Sequence, residues 1–499
     1  MQNRSLEREA KLQAPPDFVL PDLNDVIDGA VATSMGDREL VTTYYDSSDL
    51  RLTRWGCSLR FREGEGWQLK LPRESEGAML VRGEYAFGGR PRPIPTEALA
   101  AVTALLRGAR VRAVAKLRTL RRGVMIKSSD GAPLATVTDD DVSVERRRGA
   151  ADRFREIEVE LAPTAPVQSA RALVSRLAQA GASEANPIPK IVRALGPKAA
   201  EPPDVSVPSV HEDARAVDVL RQTLAASAAR LLLHDPAIRI EFDAEATHQA
   251  RVATRRVRSD LQTFRGLLNK RWADSLRADL RELGRAFGAV RDLDVFLERL
   301  GAATLKLPSD ARAGAASVMQ AFESDRAAAR RALLDVMQAP RYVALLDRLV
   351  AAAGEPHALR LAERAAQALM PPLFGRQWKK AEKAAARAKR APSDAALHEV
   401  RIRVKSCRYV AETMAPIGGK RAKAFADEAS NLQDALGTYR DAIIAYGRLR
   451  AVARGGIDEA FAAGQLAMTQ LRASRKARRT WQKRWGRLCA ERKRLKAWQ

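Results

Sequence analysis

The sequence predicts an α+β protein: an N-terminal antiparallel β-barrel or tunnel with flanking helices over residues 1–195, then an all-helical region over residues 211–499. Three observations carry this. Several short N-terminal segments alternate apolar and charged residues with period two, as strands with one polar face do. Residues 196–210 (GPKAAEPPDVSVPSV) hold four prolines and no periodicity, which marks a linker. Beyond it, Ala/Leu/Arg-rich segments recur at spacings of three and four without a strand pattern, which reads as helical bundles.

The alternating segments follow in order. Ser5–Gln13 puts Glu7, Glu9 and Lys11 on one face. Cys57–Glu63 carries Arg60 and Arg62 beside apolar Leu59 and Phe61, Trp67–Leu71 offers Lys70, and Leu80–Phe87 pairs Arg82 with Glu84. Ala115–Leu120 brings Lys116 and Arg118, and Phe154–Leu161 sets Glu156, Glu158 and Glu160 against Ile157, Val159 and Leu161. Helical patterns fill Thr96–Leu106 and Val167–Ala180. Charges facing water would explain any one strand. They explain poorly why glutamates sit on the first and last strands and Arg/Lys on those between. Closing the strands into a barrel places them around one lumen with an acidic wall and basic walls. That chemistry suits a divalent cation holding a phosphate chain: carboxylates take Mg2+ or Mn2+, and guanidinium groups grip phosphate oxygens.

Composition bounds the partner. With 499 residues and 46% hydrophobic content, several folded domains are expected. Lys and Arg number 86 against 60 Asp and Glu, a net charge of +26. Residues 1–200 hold 31 basic and 26 acidic residues, and residues 201–499 hold 55 and 34. The basic surface therefore belongs to the helical half, and its field favours a polyanion: nucleic acid, an anionic membrane surface or polyphosphate. Three scattered cysteines (Cys57, Cys407, Cys489) speak against a disulfide framework or a structural zinc site. A charged N-terminus and the lack of an apolar run of about 18–20 residues lead to the expectation of a soluble, cytoplasmic protein. No G-x-x-x-x-G-K-[ST] loop occurs, which excludes a P-loop NTPase.

The helical half is a duplication. His248-Gln-Ala-Arg251-Val-Ala-Thr-Arg255-Arg-Val-Arg258 and His398-Glu-Val-Arg401-Ile-Arg-Val-Lys405-Ser-Cys-Arg408 both read H-x-x-R-φ-x-x-[RK]-x-x-R, where φ is an apolar residue. A second match follows each in the same order: Leu283 to Arg291-Asp292, and Leu432 to Arg440-Asp441. Positions i, i+3, i+7 and i+10 fall within a sector of roughly 80° on a helix. Each repeat thus lines up one imidazole and three cations, which repel one another unless an anion occupies the face. A single such face would read as solvated charge; its repetition favours an anion site.

These two repeats resemble the CHAD family (conserved histidine α-helical domain) over about Val210–Gln499. The resemblance implies two pseudo-symmetric four-helix bundles and a basic groove for inorganic polyphosphate. It implicates His248, Arg251, Arg255, Arg258 and Arg291, with His398, Arg401, Lys405, Arg408 and Arg440. The N-terminal half resembles the CYTH family of triphosphate tunnel metalloenzymes. Glu7-Arg-Glu9-Ala-Lys11 is its E-x-E-x-K signature, followed in the family's order by Tyr44-Tyr-Asp46, Leu59-Arg60-Phe-Arg62, Lys70, Arg82/Glu84, Lys116/Arg118 and Glu156-Ile-Glu158.

That resemblance implies Glu7, Glu9, Glu156 and Glu158 as metal ligands for Mg2+ or Mn2+. It implies Lys11, Arg60, Arg62, Lys70, Arg82, Lys116, Arg118 and the late Lys190 as phosphate-binding residues. Glu7, Glu9, Lys11 and Glu158 form the catalytic set. One more acidic ligand is expected on the penultimate strand. There apolar Leu134, Val142 and Val144 share a parity, so Asp139 and Asp141 should face the lumen, and Asp139 is favoured. The function so implied is metal-dependent hydrolysis of inorganic triphosphate, with the helical half binding polyphosphate. The alternatives are a non-catalytic polyphosphate-binding protein and a class IV-type adenylate cyclase. A nucleic-acid protein, prompted by the basic Arg472–Lys496 stretch, ranks last because few aromatics interleave the charges.

Overall fold

The structure is a computed structural model that describes residues 4–72, 79–145, 152–183, 188–452 and 456–496. It divides into two compact units, Met1–Asp204 and Val205–Gln499.

In the first unit, eight strands close into a barrel in the order β1-β5-β4-β3-β2-β6-β7-β8. They are β1 (Arg4–Ala14), β2 (Val31–Asp46), β3 (Ser58–Arg62), β4 (Gly66–Pro72), β5 (Leu80–Phe87), β6 (Arg112–Lys127), β7 (Pro133–Glu145) and β8 (Asp152–Leu161). Short helices α1 (Arg51–Arg54), α2 (Thr96–Ala101) and α3 (Thr103–Leu106) interrupt them, and α4 (Val167–Gln179) and α5 (Lys190–Leu195) follow. The sheet is apolar outside and charged inside. Ala10 and Leu12 of β1 join Ile157, Val159 and Leu161 of β8 in a core closed by Leu173 and Leu177 of α4. Each such leucine contributes about 1.5–3 kcal/mol on burial, so α4 holds the strands that present their glutamates inward.

The long strand β2 escapes a search for alternation. Its first half is exposed, and a bulge between Ser34 and Asp37, with Gly36 at φ 77°, breaks the pairing with β6. Asp46, in the Tyr44-Tyr-Asp46 run, has a structural task. Its carboxylate accepts from the backbone N–H of Leu52 at 3.0 Å and of Thr53 at 2.8 Å, starting α1. The first part of the expected linker is held on this unit: Arg54 Nε donates to the Pro202 carbonyl at 2.8 Å and Trp55 Nε1 to Asp204 at 2.9 Å.

The second unit is helical: α6 (Ala216–Glu241), α7 (Ala244–Thr263), α8 (Lys270–Thr304), α9 (Ser309–Gln338), α10 (Pro340–Gly354), α11 (Ala366–Arg390), α12 (Asp394–Val452) and α13 (Ile457–Lys496). Asp243 caps α7 by accepting from Ala246 N at 2.6 Å, and Asn269 caps α8 by accepting from Trp272 N at 3.1 Å. The second repeat matches the first of these caps, with Ser393 Oγ accepting from Ala396 N at 3.2 Å at the start of α12, but it begins no new helix at the place matching the start of α8. It uses Gly419, at φ 57°, to bend α12 into two arms. Each repeat therefore supplies four helical rods, α6-α7-α8-α9 and α11 with both arms of α12 and α13, and α10 is an insertion after the first. Phe296, Leu300, Val318 and Phe322 of the first repeat share a core with Ala445, Leu449, Ala462 and Leu466 of the second. Among the described residues no helix is long and apolar enough to cross a membrane.

Candidate functional site

Strand pairing fixes which charges enter the barrel. Lys11 pairs with Glu158 across β1–β8, and Lys70 with Glu84 across β4–β5, so their side chains share the inner face. They line a cavity of about 200 Å³ together with Glu7, Arg60, Arg62, Arg82, Lys190 and Glu160. Glu9 and Glu156 lie buried beside it, at 2% and 0% exposure.

The charges are interleaved. Lys11 contacts Glu158 and lies 3.1 Å from Glu9 and 3.3 Å from Glu156. Arg82 contacts Glu9 and lies 3.3 Å from Glu7, while Lys70 contacts Glu7 and lies 3.1 Å from Glu84. Lys190, entering from α5, reaches Asp140 and Glu156 at 2.9 Å and Glu158 at 2.7 Å. Burial alone would raise the glutamate pKa values, but Lys70 and Arg82 outweigh it at Glu7 and hold that carboxyl below its ordinary range. At Glu158 burial is likewise overcome, by Lys11, Lys190 and Arg121, and the carboxyl is held well below it.

Four residues expected in the lumen lie outside it. Lys116 and Arg118 point outward and pair with Glu145 on the surface, at 3.6 and 2.7 Å. The inward residues of β6 are Leu117, Thr119 and Arg121. Asp139 does not face the lumen: it is buried on the outer side, where Arg155 lies 2.6 Å and Arg122 3.5 Å away. Asp141, of the same parity, pairs outside with Arg153 at 2.8 Å. The lumen-facing acid is Asp140, fully buried and bridged to Arg121 at 2.6 Å. The parity argument took Val142 and Val144 as outward because they are apolar. One end of the lumen is itself apolar, with Tyr44, Leu117, Val142, Val144 and Ile191 packed together.

Arg121 and Tyr44 are two lumen residues that alternation missed. Arg121 stands opposite Asp140 in the β6–β7 register, so opposite charges on adjacent strands were the available signal. Burial raises the Tyr44 pKa, yet Arg60, then Arg62 and Lys190, pull it below the ordinary value.

Two acids leave negative charge in the lumen of the kind a divalent cation takes up. Glu7 Oε2 is buried without a hydrogen-bond partner. Glu160 makes no ion pair among the described residues. Desolvation, then the repulsion of Glu7, Glu9 and Glu158 against a partial offset from Lys70, pushes its carboxyl up to about 7. Negative charge there is incompletely neutralised, and carboxylate oxygens are the ligands hard cations take. Among the described residues no three acidic side chains converge as a cluster that could hold an ion; Lys11 and Arg82 stand between them.

In the helical unit the two predicted faces converge. Arg255 Nε of α7 donates to the Tyr409 hydroxyl of α12 at 2.6 Å. The repeats make matching contacts. Arg251 lies against Gly288, its Nη1 3.3 Å from the carbonyl oxygen, and Arg401 lies against Gly437. His398 contacts Arg440, and Arg291 is the cation nearest in effect to His248. Burial first, then these arginines, lower both histidine pKa values. Lys405 is pushed down to about 6 by burial and by Arg255, Arg401, Arg251 and Arg408. Arg258 and Arg408 instead turn toward the next helix of their own repeats.

Comparison with known proteins agrees with this division. A CYTH domain model matches residues 5–192 and a CHAD domain model residues 222–450. The uncharacterized proteins MT2285 and Rv2226 of Mycobacterium tuberculosis are each 29% identical over 478 residues, covering 88% of this chain and 87% of their own. Among solved structures, PptA from Streptomyces chartreusis is 24% identical with a TM-score of 0.47, covering 55% of this chain and 100% of its own. The CHAD domain from the plant Ricinus communis is 24% identical with a TM-score of 0.44, covering 59% and 96%. The chain thus carries a CYTH domain in its barrel, over residues 5–192, and a CHAD domain in its helical unit, over residues 222–450.

Proposed function

We propose that the barrel hydrolyses inorganic triphosphate with the help of Mg2+ or Mn2+, and that the helical unit binds polyphosphate. The observation that carries the first part is the lumen itself. Seven cationic side chains (Lys11, Arg60, Arg62, Lys70, Arg82, Arg121 and Lys190) surround one cavity and are interleaved there with carboxylates. In the free protein six of those cations pair with carboxylates, and Arg60 Nε donates to Gln68 Oε1 at 2.7 Å. A linear polyanion entering the lumen takes over their charge, so the site is preorganised for phosphate oxygens rather than assembled on binding.

Glu7, Glu9, Glu156 and Glu158, with Asp140 in place of Asp139, would hold the cation. When bound, it supplies positive charge to phosphate oxygens and to the leaving phosphate. The chain's own residues do the rest. Arg60, Arg62, Arg121 and Lys190 grip equatorial oxygens and stabilise charge as the phosphoanhydride bond breaks. Lys11 keeps Glu158 ionised and lies 3.1 Å from Glu9, so that one of the acids Glu7, Glu9 and Glu158 can orient a water and accept its proton.

The test is phosphate release from inorganic triphosphate, ATP, thiamine triphosphate and long polyphosphate, with Mg2+ and with Mn2+. The reading expects inorganic triphosphate to be turned over fastest and chelation to abolish turnover. Release of pyrophosphate with cyclic AMP from ATP would favour the cyclase reading. Tight polyphosphate binding without any turnover would favour a binding protein.

A further inference from the structure

The duplication exposes one place where the repeats differ. Arg258 of α7 and Arg408 of α12 hold matching positions, but their neighbours on the following rod do not match. Arg258 packs on α8, its Nη1 3.7 Å from where a Cβ on Gly284 would stand, and Arg281, Arg277 and Arg285 of that helix are the charges that act on it. At the same offset of 149 residues the second repeat carries Ala426, Ser430 and Asp434. There Arg408 has partners, donating from Nη1 to Ser430 Oγ at 2.9 Å and lying 3.2 Å from Glu412. Arg258 makes no ion pair among the described residues, and neither do the exposed Arg281 and Arg285.

The acids of this helix segment look elsewhere. Asp279 pairs with Arg348 and Glu282 lies 2.7 Å from Arg341, both on α10. Asp274 is shared between Arg265 at 2.8 Å and Arg277 at 3.4 Å. Positions i, i+4 and i+8 form one stripe about 12 Å long on a helix, and like charges at that spacing destabilise it. A stripe kept against its own repulsion fits an anion lying along it.

We propose that Arg258, Arg277, Arg281 and Arg285 form a one-sided track on which a polyphosphate chain leaves the shared His/Arg groove over the first repeat only. On the second repeat, Glu412 and Asp434 end the basic surface. The inference rests on the groove reading given above. Polyphosphate is favoured over single-stranded nucleic acid because residues 277–285 (RADLRELGR) contain no aromatic side chain on which a base could stack.

The experiment measures binding of medium-length (about ten phosphates) and long-chain inorganic polyphosphate by the full chain and three variants. The track variant is Arg277→Ala/Arg281→Ser/Arg285→Ala. The tail variant, Arg472→Ala/Arg475→Ala/Arg479→Ala, removes equal charge from α13. The groove variant is Arg251→Ala/Arg401→Ala. The barrel is unchanged in all three, so its own binding cancels. The track variant should lose at least tenfold affinity for the long chain, less than threefold for the medium one, and no thermal stability. The tail variant should lose less than threefold for both. Equal losses in track and tail variants would overturn the proposal, because net charge alone would then explain them. A track variant that loses both lengths equally would overturn it too. If the groove variant binds like the wild type while the track variant loses the long chain, the groove reading fails and the track stands. If single-stranded DNA displaces long polyphosphate from the wild type at equal charge concentration, the track belongs to nucleic acid and the proposal is wrong.

Discussion

Asp140 and Glu158, on neighbouring strands β7 and β8, share two cations: Arg121 and Lys190 each lie within 3.0 Å of both carboxylates. Burial would favour protonating both acids, but Lys190 and Arg121 hold Asp140 below the ordinary carboxylate range, and Lys11 with Lys190 and Arg121 holds Glu158 well below it. The four groups form the basic-acidic junction of the lumen.

Asp140→Asn removes half of that charge and frees both cations to move. Phosphate release from triphosphate should fall about tenfold to hundredfold. Asp139→Asn is the contrast, because that residue holds Arg155 on the outer side. Its kcat/KM should stay within about threefold of wild type, while unfolding in urea should show a loss of about 1–3 kcal/mol. The opposite pattern would restore Asp139 as the lumen acid.

Arg121→Ala should raise KM for triphosphate at least tenfold, since its guanidinium lines the cavity. Lys116→Ala/Arg118→Ala should change KM by less than twofold. Those side chains are 38% and 50% exposed and pair with Glu145, and surface pairs of this kind contribute about 0–1 kcal/mol.

The contrast between Arg121 and Arg118 shows how far the sequence was legible. Alternation identified the glutamates of β1 and β8, because their outer partners Leu12, Ile157 and Val159 are uniformly apolar. It failed on β6 and β7, where both faces mix polar and apolar residues and parity has no sign. Only the register, Arg121 opposite Asp140, assigns the faces. The helical faces were legible in outline from spacing because the repeat supplied an internal control, but Arg258 and Arg408 turn to the next rod. The bend at Gly419, the insertion of α10 and the unmatched Arg277–Arg285 stripe depend on which rods pack together, which spacing does not encode.

Lys405 predicts a pH dependence. Burial and four arginines, Arg251 and Arg255 on α7 with Arg401 and Arg408 on its own helix, push it from 10.5 down to about 6. A bound polyanion offsets that repulsion and raises it again. The complex then carries more protons than the free protein above pH 6, so affinity should fall as pH rises from about 6 towards 10. Calorimetry at pH 8 in buffers of different ionisation enthalpy should detect proton uptake that Lys405→Met abolishes. The linkage to folding has the opposite sense. The unfolded chain keeps this proton longer than the folded one, so stability without ligand should rise with pH through the same window, and less so in Lys405→Met.

Gly437 gives a steric test of the groove. A Cβ there would lie 3.5 Å from the Arg401 guanidinium, in ordinary contact. Gly437→Ala should leave polyphosphate affinity within threefold and stabilise the helix by up to about 1 kcal/mol. Gly437→Leu fills the guanidinium's place and should weaken binding more than tenfold.

The central claim concerns the barrel, and phosphate release from inorganic triphosphate by wild type and Glu9→Ala tests it most directly. Glu9 is 2% exposed and contacts both Lys11 and Arg82. Wild type should release phosphate with Mg2+ or Mn2+. The variant, shown to be folded by circular dichroism and by unchanged long-chain polyphosphate binding, should fall at least a hundredfold. A folded Glu9→Ala protein with wild-type turnover would contradict the account.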